Sequence, residues 1–330
     1  MDAAETADTA DTTEDEEAPL PDTAAPAFFV QPLLAPDPPW HTVSLEQLVA
    51  FFAHTSRFLL ERRLGLRLPR AQEELEDDEP FVESTAARRA LADRLLPVLM
   101  AEPPPDPGSA LALARAGVEL PGGAVGEAWL EREWAAMQAF ASSVRARAAP
   151  AVLAPHTAQL DFDLDGEPWR LHAAFAHPRP DGLLGWRYDE LRAQDHLRAW
   201  ITHLAWLAAG VPAGAAPRTV WCGRDGALAF ETVEQPAARL LELLRLYRHG
   251  LAQPLPFFAR TSWALVCGKG LSAARQAWAG RAGAVSGERD DPAHALAWRG
   301  LPDPLAAGYA GFEATAHAVL APLRDHLRDA

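Results

Sequence analysis

The stretch LDFDLDGEPWRLHAAFAHPRPDGLLGWRYDELRAQDHLRAWITHLAWLAAG, Leu160 to Gly210, decides how the chain is read. Leu160, Phe162 and Leu164 alternate with Asp161, Asp163 and Asp165, the period of a strand with one buried face. Asp165-Gly166 supplies a turn, and Trp169 to Phe175 alternates again as the return strand. After Pro180-Asp181-Gly182 comes a short third strand, Leu183 to Tyr188. Leu197, Trp200, Ile201, Leu204 and Leu207 then recur at spacings of three and four, so a long amphipathic helix follows.

Working outward, 330 residues with 49% hydrophobic content allow one large or two ordinary domains with a substantial core. No apolar run reaches the roughly 18 residues of a membrane span, and the acidic N-terminus does not resemble a signal peptide. Cys222 and Cys267 are the only cysteines, too few for a disulfide framework, a four-cysteine zinc site or an all-cysteine iron–sulfur cluster. A cytoplasmic protein is the simplest reading. The net charge of -15 speaks against nucleic acid as a partner, since phosphate binding rests on basic residues. Ten of the acids fall within residues 1–40, which hold no Lys or Arg, so the remainder is left at -5. Lys269 is the single lysine, and every other basic residue is arginine.

Residues 1–40, rich in Ala, Thr, acids and then Pro, read as a disordered lead-in, because they carry too little apolar surface to offset ordering entropy. Structure begins at Ser44, an N-cap with Gln47 in the capping-box position, and the helical region it opens ends near Gly65. The run Glu73 to Phe81 reads as a solvated acidic loop. Helices are expected over Ser84–Met100, near Leu111 and around Trp129 to Phe140, with Pro103-Pro104-Pro105 breaking the chain. The glycines of residues 120–126 are not followed by Lys-Ser/Thr, so no phosphate-binding P-loop is read there. Arg224-Asp225-Gly226 sits between two apolar runs as a hairpin turn. Pro236 opens a helix ending at Gly250, and two further helical regions, Thr261–Trp278 and Leu305–Leu327, are joined by a Gly/Asp-rich loop.

Several motifs now stand in order: Phe51-Phe52-Ala53-His54-Thr55-Ser56-Arg57-Phe58, Arg62-Arg63-Leu64-Gly65, Glu79-Pro80-Phe81, Leu120-Pro121-Gly122, Asp181-Gly182-Leu183-Leu184, Trp186-Arg187 and Ala199-Trp200 with His203-Leu204. Together they resemble the C-terminal domain of RecC, the gamma subunit of exodeoxyribonuclease V (RecBCD), over roughly residues 20–330. The resemblance implies an α/β, PD-(D/E)XK nuclease-like fold that is catalytically inactivated, with an added N-terminal helical region (41–150) ahead of a sheet with C-terminal helices (151–330). It implies helicase-like portions upstream in the full subunit that these residues do not include.

An active member needs an acid on one strand, an acid-X-Lys on the next and usually a Gln and Tyr on the helix, the carboxylates holding Mg²⁺ and the lysine placing a water. Here Leu171-His172-Ala173-Ala174-Phe175 has no acid, Leu184-Gly185-Trp186-Arg187-Tyr188 has no acid-X-Lys, and His196-Leu197-Arg198-Ala199-Trp200 stands in place of the helical pair. Ala173, Ala174, Gly185 and Arg187 thus stand near the places of the acids and the lysine. Related nuclease domains hold an iron–sulfur cluster through a Cys in the first helix, where this chain has His54-Thr55. No catalytic, metal or cofactor residue is therefore assigned, and Mg²⁺ and ATP are expected to serve partner subunits. Asp161, Asp163, Asp165 and Glu167 are the alternative acid cluster for a diverged Mg²⁺-dependent nuclease, against the reading of acids on a solvent face.

The remaining candidates are binding residues. Trp186, Arg187, Trp221 and Arg224, at strand and turn ends, suit stacking on bases and pairing with phosphates, with packing as the alternative for the tryptophans. His196 and His203 lie seven apart on one helix face and read as surface or packing residues. The function expected from the resemblance is a non-catalytic scaffold and DNA-guiding part of a RecBCD-type helicase-nuclease in recombinational repair. RecB and RecD, duplex ends and single strands are its partners, and no membrane is involved. A hairpin at Asp165-Gly166 or at Arg224-Asp225-Gly226 would be its strand-separating wedge. The other alternative is a stand-alone protein-interaction module.

Overall fold

A computed structural model describes residues 26–68, 85–101, 106–117, 122–147, 149, 151–281, 285–306 and 309–330. Most of the expected lead-in, the acidic run 73–81, the triple-proline break and Leu120-Pro121 lie outside them. Within residues 26–40 the lead-in is anchored at several points: the apolar side chain of Phe29 is buried, Phe28 N–H donates to the Arg299 carbonyl at 3.1 Å, and Leu33 N–H to that of Ala252 at 2.7 Å, while Val30 and Leu34 are exposed. Its aromatic pair supplies the apolar surface that the composition of residues 1–25 lacks.

β1 (Thr42–Ser44) leads into α1 (Leu45–Ala53) through the expected capping box, Gln47 N–H donating to Ser44 Oγ at 3.1 Å and Ser44 N–H to Gln47 Oε1 at 2.8 Å. The helix breaks at His54, whose Nδ1 accepts from Arg57 N–H at 3.2 Å and so caps α2 (Thr55–Phe58). A π-helical turn, Leu59–Arg63, follows, and Gly65 at φ 70° ends the region. Three helices come next, α3 (Thr85–Leu99), α4 (Pro107–Arg115) and α5 (Gly123–Arg145).

β2 (His156–Leu164) and β3 (Glu167–Phe175) form a nine-residue antiparallel ladder, and β1 lies parallel on the other side of β3. Asp165 and Gly166 both take positive φ, 58° and 89°, the conformation of a two-residue hairpin turn, and Asp163 Oδ1 accepts from Gly166 N–H at 2.8 Å. Trp169, Leu171, Ala173 and Phe175 point into the core.

The third strand is where the structure departs from the sequence reading. β4 (Leu183–Trp186) does not extend this sheet. It pairs in parallel with β5 (Thr219–Cys222) in a second sheet of order β4-β5-β6-β9, with β6 at Ala227–Phe230 and β9 at Arg328–Asp329. Two glycines permit this. Gly182, at φ 114°, lies against the Arg218 backbone, and Gly185 leaves room for the Trp221 ring; a Cβ at either position would clash. The architecture is mixed α/β with small mixed sheets and flanking helices.

α6 (Ala193–Ala208) buries Leu197, Trp200, Ile201 and Leu204 as its spacing requires, with Leu207 half-buried and Trp206 buried beside them. α7 (Pro236–Gly250) has Pro at its first position. The helical region expected over Thr261–Trp278 is two helices, α8 (Ala259–Val266) and α9 (Leu271–Ala279), parted by Gly268-Lys269-Gly270, with Gly270 at φ 80°. β7 (Gly280–Arg281) and β8 (Val285–Ser286) pair briefly, and the Gly/Asp-rich loop contains α10 (Pro292–Ala297), capped by Asp291. α11 (Ala310–His326) closes the fold.

The second sheet is buried on both faces. Leu228 and Phe230 face the main core of α1, α6, α7, α11 and the first sheet, while Val220, Cys222 and Ala229 face a second cluster built from α3, α4 and α5. At the seam His203 of α6 is fully buried, its Nδ1 accepting from the Thr219 hydroxyl at 3.0 Å and its Nε2–H donating to the Glu231 carbonyl. Burial lowers its pKa to about 4.

Candidate functional site

The chain leaving β4 meets the start of α6 and the β5–β6 turn in a dense polar seam. Asp189, buried, collects three arginines on Oδ2: Arg89 Nη2 at 2.6 Å, Arg192 Nη2 at 2.8 Å and Arg187 Nη1 at 3.4 Å. Its Oδ1 accepts from Glu190 N–H at 2.9 Å. Burial pushes this carboxyl up, but the Arg89 hydrogen bond and the arginine charges outweigh it and hold the pKa below the usual carboxylate range. Asp195, also buried, accepts from Arg187 Nη2 at 2.5 Å and from Arg192 N–H at 2.8 Å, which makes it both an ion-pair partner and the cap of α6. The β5–β6 turn is strapped on by Leu191 N–H to Asp225 Oδ1 at 2.8 Å and Arg224 N–H to the Asp189 carbonyl at 2.9 Å.

Beside the seam, Tyr188 Oη donates to Glu133 Oε2 at 3.3 Å, and burial next to that carboxylate raises the phenol pKa to about 12. The Arg224 guanidinium stacks over the Tyr188 ring, 4.9 Å from its centroid. Behind them opens a cavity of about 460 Å³ lined by Phe140, Ser143, Arg147, Tyr188, Arg224 and Asp225.

The four residues singled out by sequence take different places. Trp186 is half-buried, its ring 6.3 Å from that of Phe140. Arg187 is held by Asp189, Asp195 and the Glu190 carbonyl, to which its Nη2 donates at 2.7 Å. Trp221 lies on the opposite face of β5, over Gly185, with its Nε1 buried and unpartnered. Arg224 is exposed. Sequence reasoning passed over Arg89, Tyr188, Asp189 and Asp195. The charged run Arg187 to Arg192 directly after a strand was the available signal for Tyr188 and Asp189, and the acid three residues after Arg192 in the first turn of α6 for Asp195, whereas Arg89 is brought in from 100 residues away.

The acids of β2 and its turn lie on the solvent face, where Asp163 accepts from the Gly166 backbone and Asp161, Asp165 and Glu167 are engaged by arginines. Asp161 Oδ1 accepts from Arg170 Nε at 2.9 Å, which holds its pKa down, and Arg248 pairs with Asp165 and with Glu167, the latter at 3.4 Å. Among the described residues, no three His, Cys, Asp or Glu are grouped to hold a metal ion. At the place of the cluster cysteine, His54 caps α2 and stacks on His294 at 4.1 Å, while Thr55 Oγ1 donates to the Phe257 carbonyl at 2.9 Å. These are packing and capping roles.

The family model described as the RecC C-terminal domain matches residues 40–268. The RecBCD enzyme subunit RecC of Escherichia coli (strain K12) is 31% identical over 229 residues, which cover 69% of this chain and 19% of that protein. The chain therefore spans about a fifth of the length of the relative it matches. The match runs from the segment before β1 through the first sheet, strands β4 to β6 of the second and the polar seam to the end of α8, and on that ground the chain belongs to the RecC C-terminal domain family.

Proposed function

We propose that this chain is a non-catalytic scaffold and DNA-guiding part of a RecBCD-type exodeoxyribonuclease V, acting in double-strand break repair by homologous recombination beside RecB and RecD subunits. The family match over residues 40–268 carries the reading. We read the fold as an inactivated PD-(D/E)XK-like core, with Mg²⁺ and ATP chemistry belonging to the partner subunits. The state of Arg187 supports this: a guanidinium fixed between two buried carboxylates is not available to position a water as a free lysine amine would be. The carboxylates nearest the expected site are likewise occupied, Asp161 by Arg170 and Asp165 by Arg248. Arg224, exposed at a turn, is the residue we assign to DNA, with Trp186, Arg187 and Trp221 shaping the end of the sheet that carries it. Both candidate wedge hairpins have anchored tips, one by Arg248 and the other by the backbone of residues 189–191.

The test is incubation of the purified chain with labelled forked duplex and Mg²⁺. The expected result is salt-dependent binding without cleavage, and co-purification with RecB and RecD. Cleavage that Asp161→Ala abolishes would overturn the reading in favour of a diverged nuclease.

A further inference from the structure

In a chain of net charge -15, arginines without a carboxylate partner are informative. Most described arginines in the seam are neutralised, but two that line its adjoining cavity are not. Arg147 donates from Nη1 to the Ser143 carbonyl and to Ser143 Oγ, both at 3.0 Å, and its Nε is buried with no partner. The Arg224 guanidinium lies over the face of Tyr188 and has no ion-pair partner among the described residues. Neither meets a carboxylate among the described residues, and both border the same concavity of about 460 Å³, a volume of the size that holds small ligands. Asp225, on its rim, is turned to the backbone by the hydrogen bond from Leu191 N–H.

This constellation has the chemistry of one nucleotide unit. Two guanidiniums flanking a cavity suit the oxygens of a single phosphodiester. The Arg224 guanidinium, exposed and seated over the Tyr188 ring, is placed to offer a base a stacking partner. A duplex backbone does not enter a concavity of this size, and a peptide carboxylate does not use the stacking face. We infer that the cavity between α5 and the β5–β6 turn takes a phosphodiester of an unpaired nucleic-acid strand, with Arg147 and Arg224 on the phosphate and the adjacent base on Arg224. This rests on the DNA-guiding reading of the domain and supplies its contact point.

Fluorescence anisotropy of the full chain with labelled oligo(dT) of about 20 nucleotides, between about 50 and 200 mM salt, tests it. Both arginines sit on one phosphate of a single strand, so removing them should lower the slope of log K against log salt by about 0.7. Arg147→Gln/Arg224→Gln should show that fall and bind about tenfold more weakly at low salt, with Arg239→Gln on α7 unchanged. Arg224→Lys keeps the charge and removes the platform, so it should weaken binding several-fold with the salt slope retained. That single change decides the question if the double variant melts early. Wild-type affinity and slope in these variants would sink the cavity assignment and the placing of Arg224 on DNA, while the DNA-guiding reading would stand with strand binding elsewhere on the chain. Failure of the wild-type chain to bind either oligo(dT) or forked duplex would remove the DNA-guiding reading itself. Displacement of oligo(dT) by polyglutamate at equal charge would reassign the cavity to an acidic peptide.

Discussion

At the scale of single residues, the buried polar groups have the sharpest consequences. His203 is neutral in the fold with a pKa near 4, against 6.5 for an exposed histidine. Between these values the unfolded chain binds a proton that the folded chain refuses, so stability falls as pH drops below 6.5 and the loss is complete below about 4. The difference is about 3 kcal/mol. His294, packed on His54 and pushed well below its ordinary value by burial, adds loss of the same sign. Urea melts from pH 7.5 to 4 should show this decline, and His203→Gln should flatten it while lowering the stability at pH 7.5. Asp189 is a second such case. Replacing it with Ala leaves Arg89, Arg187 and Arg192 facing one another without their common carboxylate, at a cost of about 3 kcal/mol, measurable by denaturant titration.

At the scale of elements, the strands show how glycine placement sets pairing. β2 and β3 were legible because their alternation and the Asp165-Gly166 turn are local signals, and α1, α6 and α7 because cap and apolar stripe agree. β4 was legible as a strand but not as a member of a sheet, since its partner β5 lies more than 30 residues away and pairing depends on the space at Gly185. Gly185→Ala should therefore displace the Trp221 ring, cost about 2 kcal/mol and change the tryptophan emission spectrum. An unchanged melting midpoint and spectrum would show that Trp221 yields freely. The π turn after α2 was missed because the apolar pattern runs on through Leu59-Leu60, whereas the split between α8 and α9 is marked locally by Gly268-Lys269-Gly270.

At the scale of the whole molecule, the second sheet joins two cores. Phe230 fills one side and Val220 the other, so Phe230→Ala should cost about 3–5 kcal/mol and lower stability as a whole if the cores unfold together. Two separate denaturation transitions would show that they do not. The reading of the domain as metal-free in its own right carries a further expectation. A site that binds Mg²⁺ in the folded state alone raises the melting midpoint as the ion is added, and here millimolar Mg²⁺ should leave it unshifted.

The sequence by itself determined the types of the long helices and of β2 to β6, the hairpin turns, the α6 stripe and the missing acid-X-Lys, because each depends on residues within a few positions of one another. It also carried the family resemblance, in the order of motifs from Phe51 to Leu204. The tertiary structure alone decided that β4 joins a second sheet, that Arg89 reaches Asp189 from 100 residues away, and that Arg147 and Arg224 border one cavity. Those facts depend on which distant groups share a buried space, where desolvation forces each charge to find a partner or remain at an open face, and no local pattern records that choice.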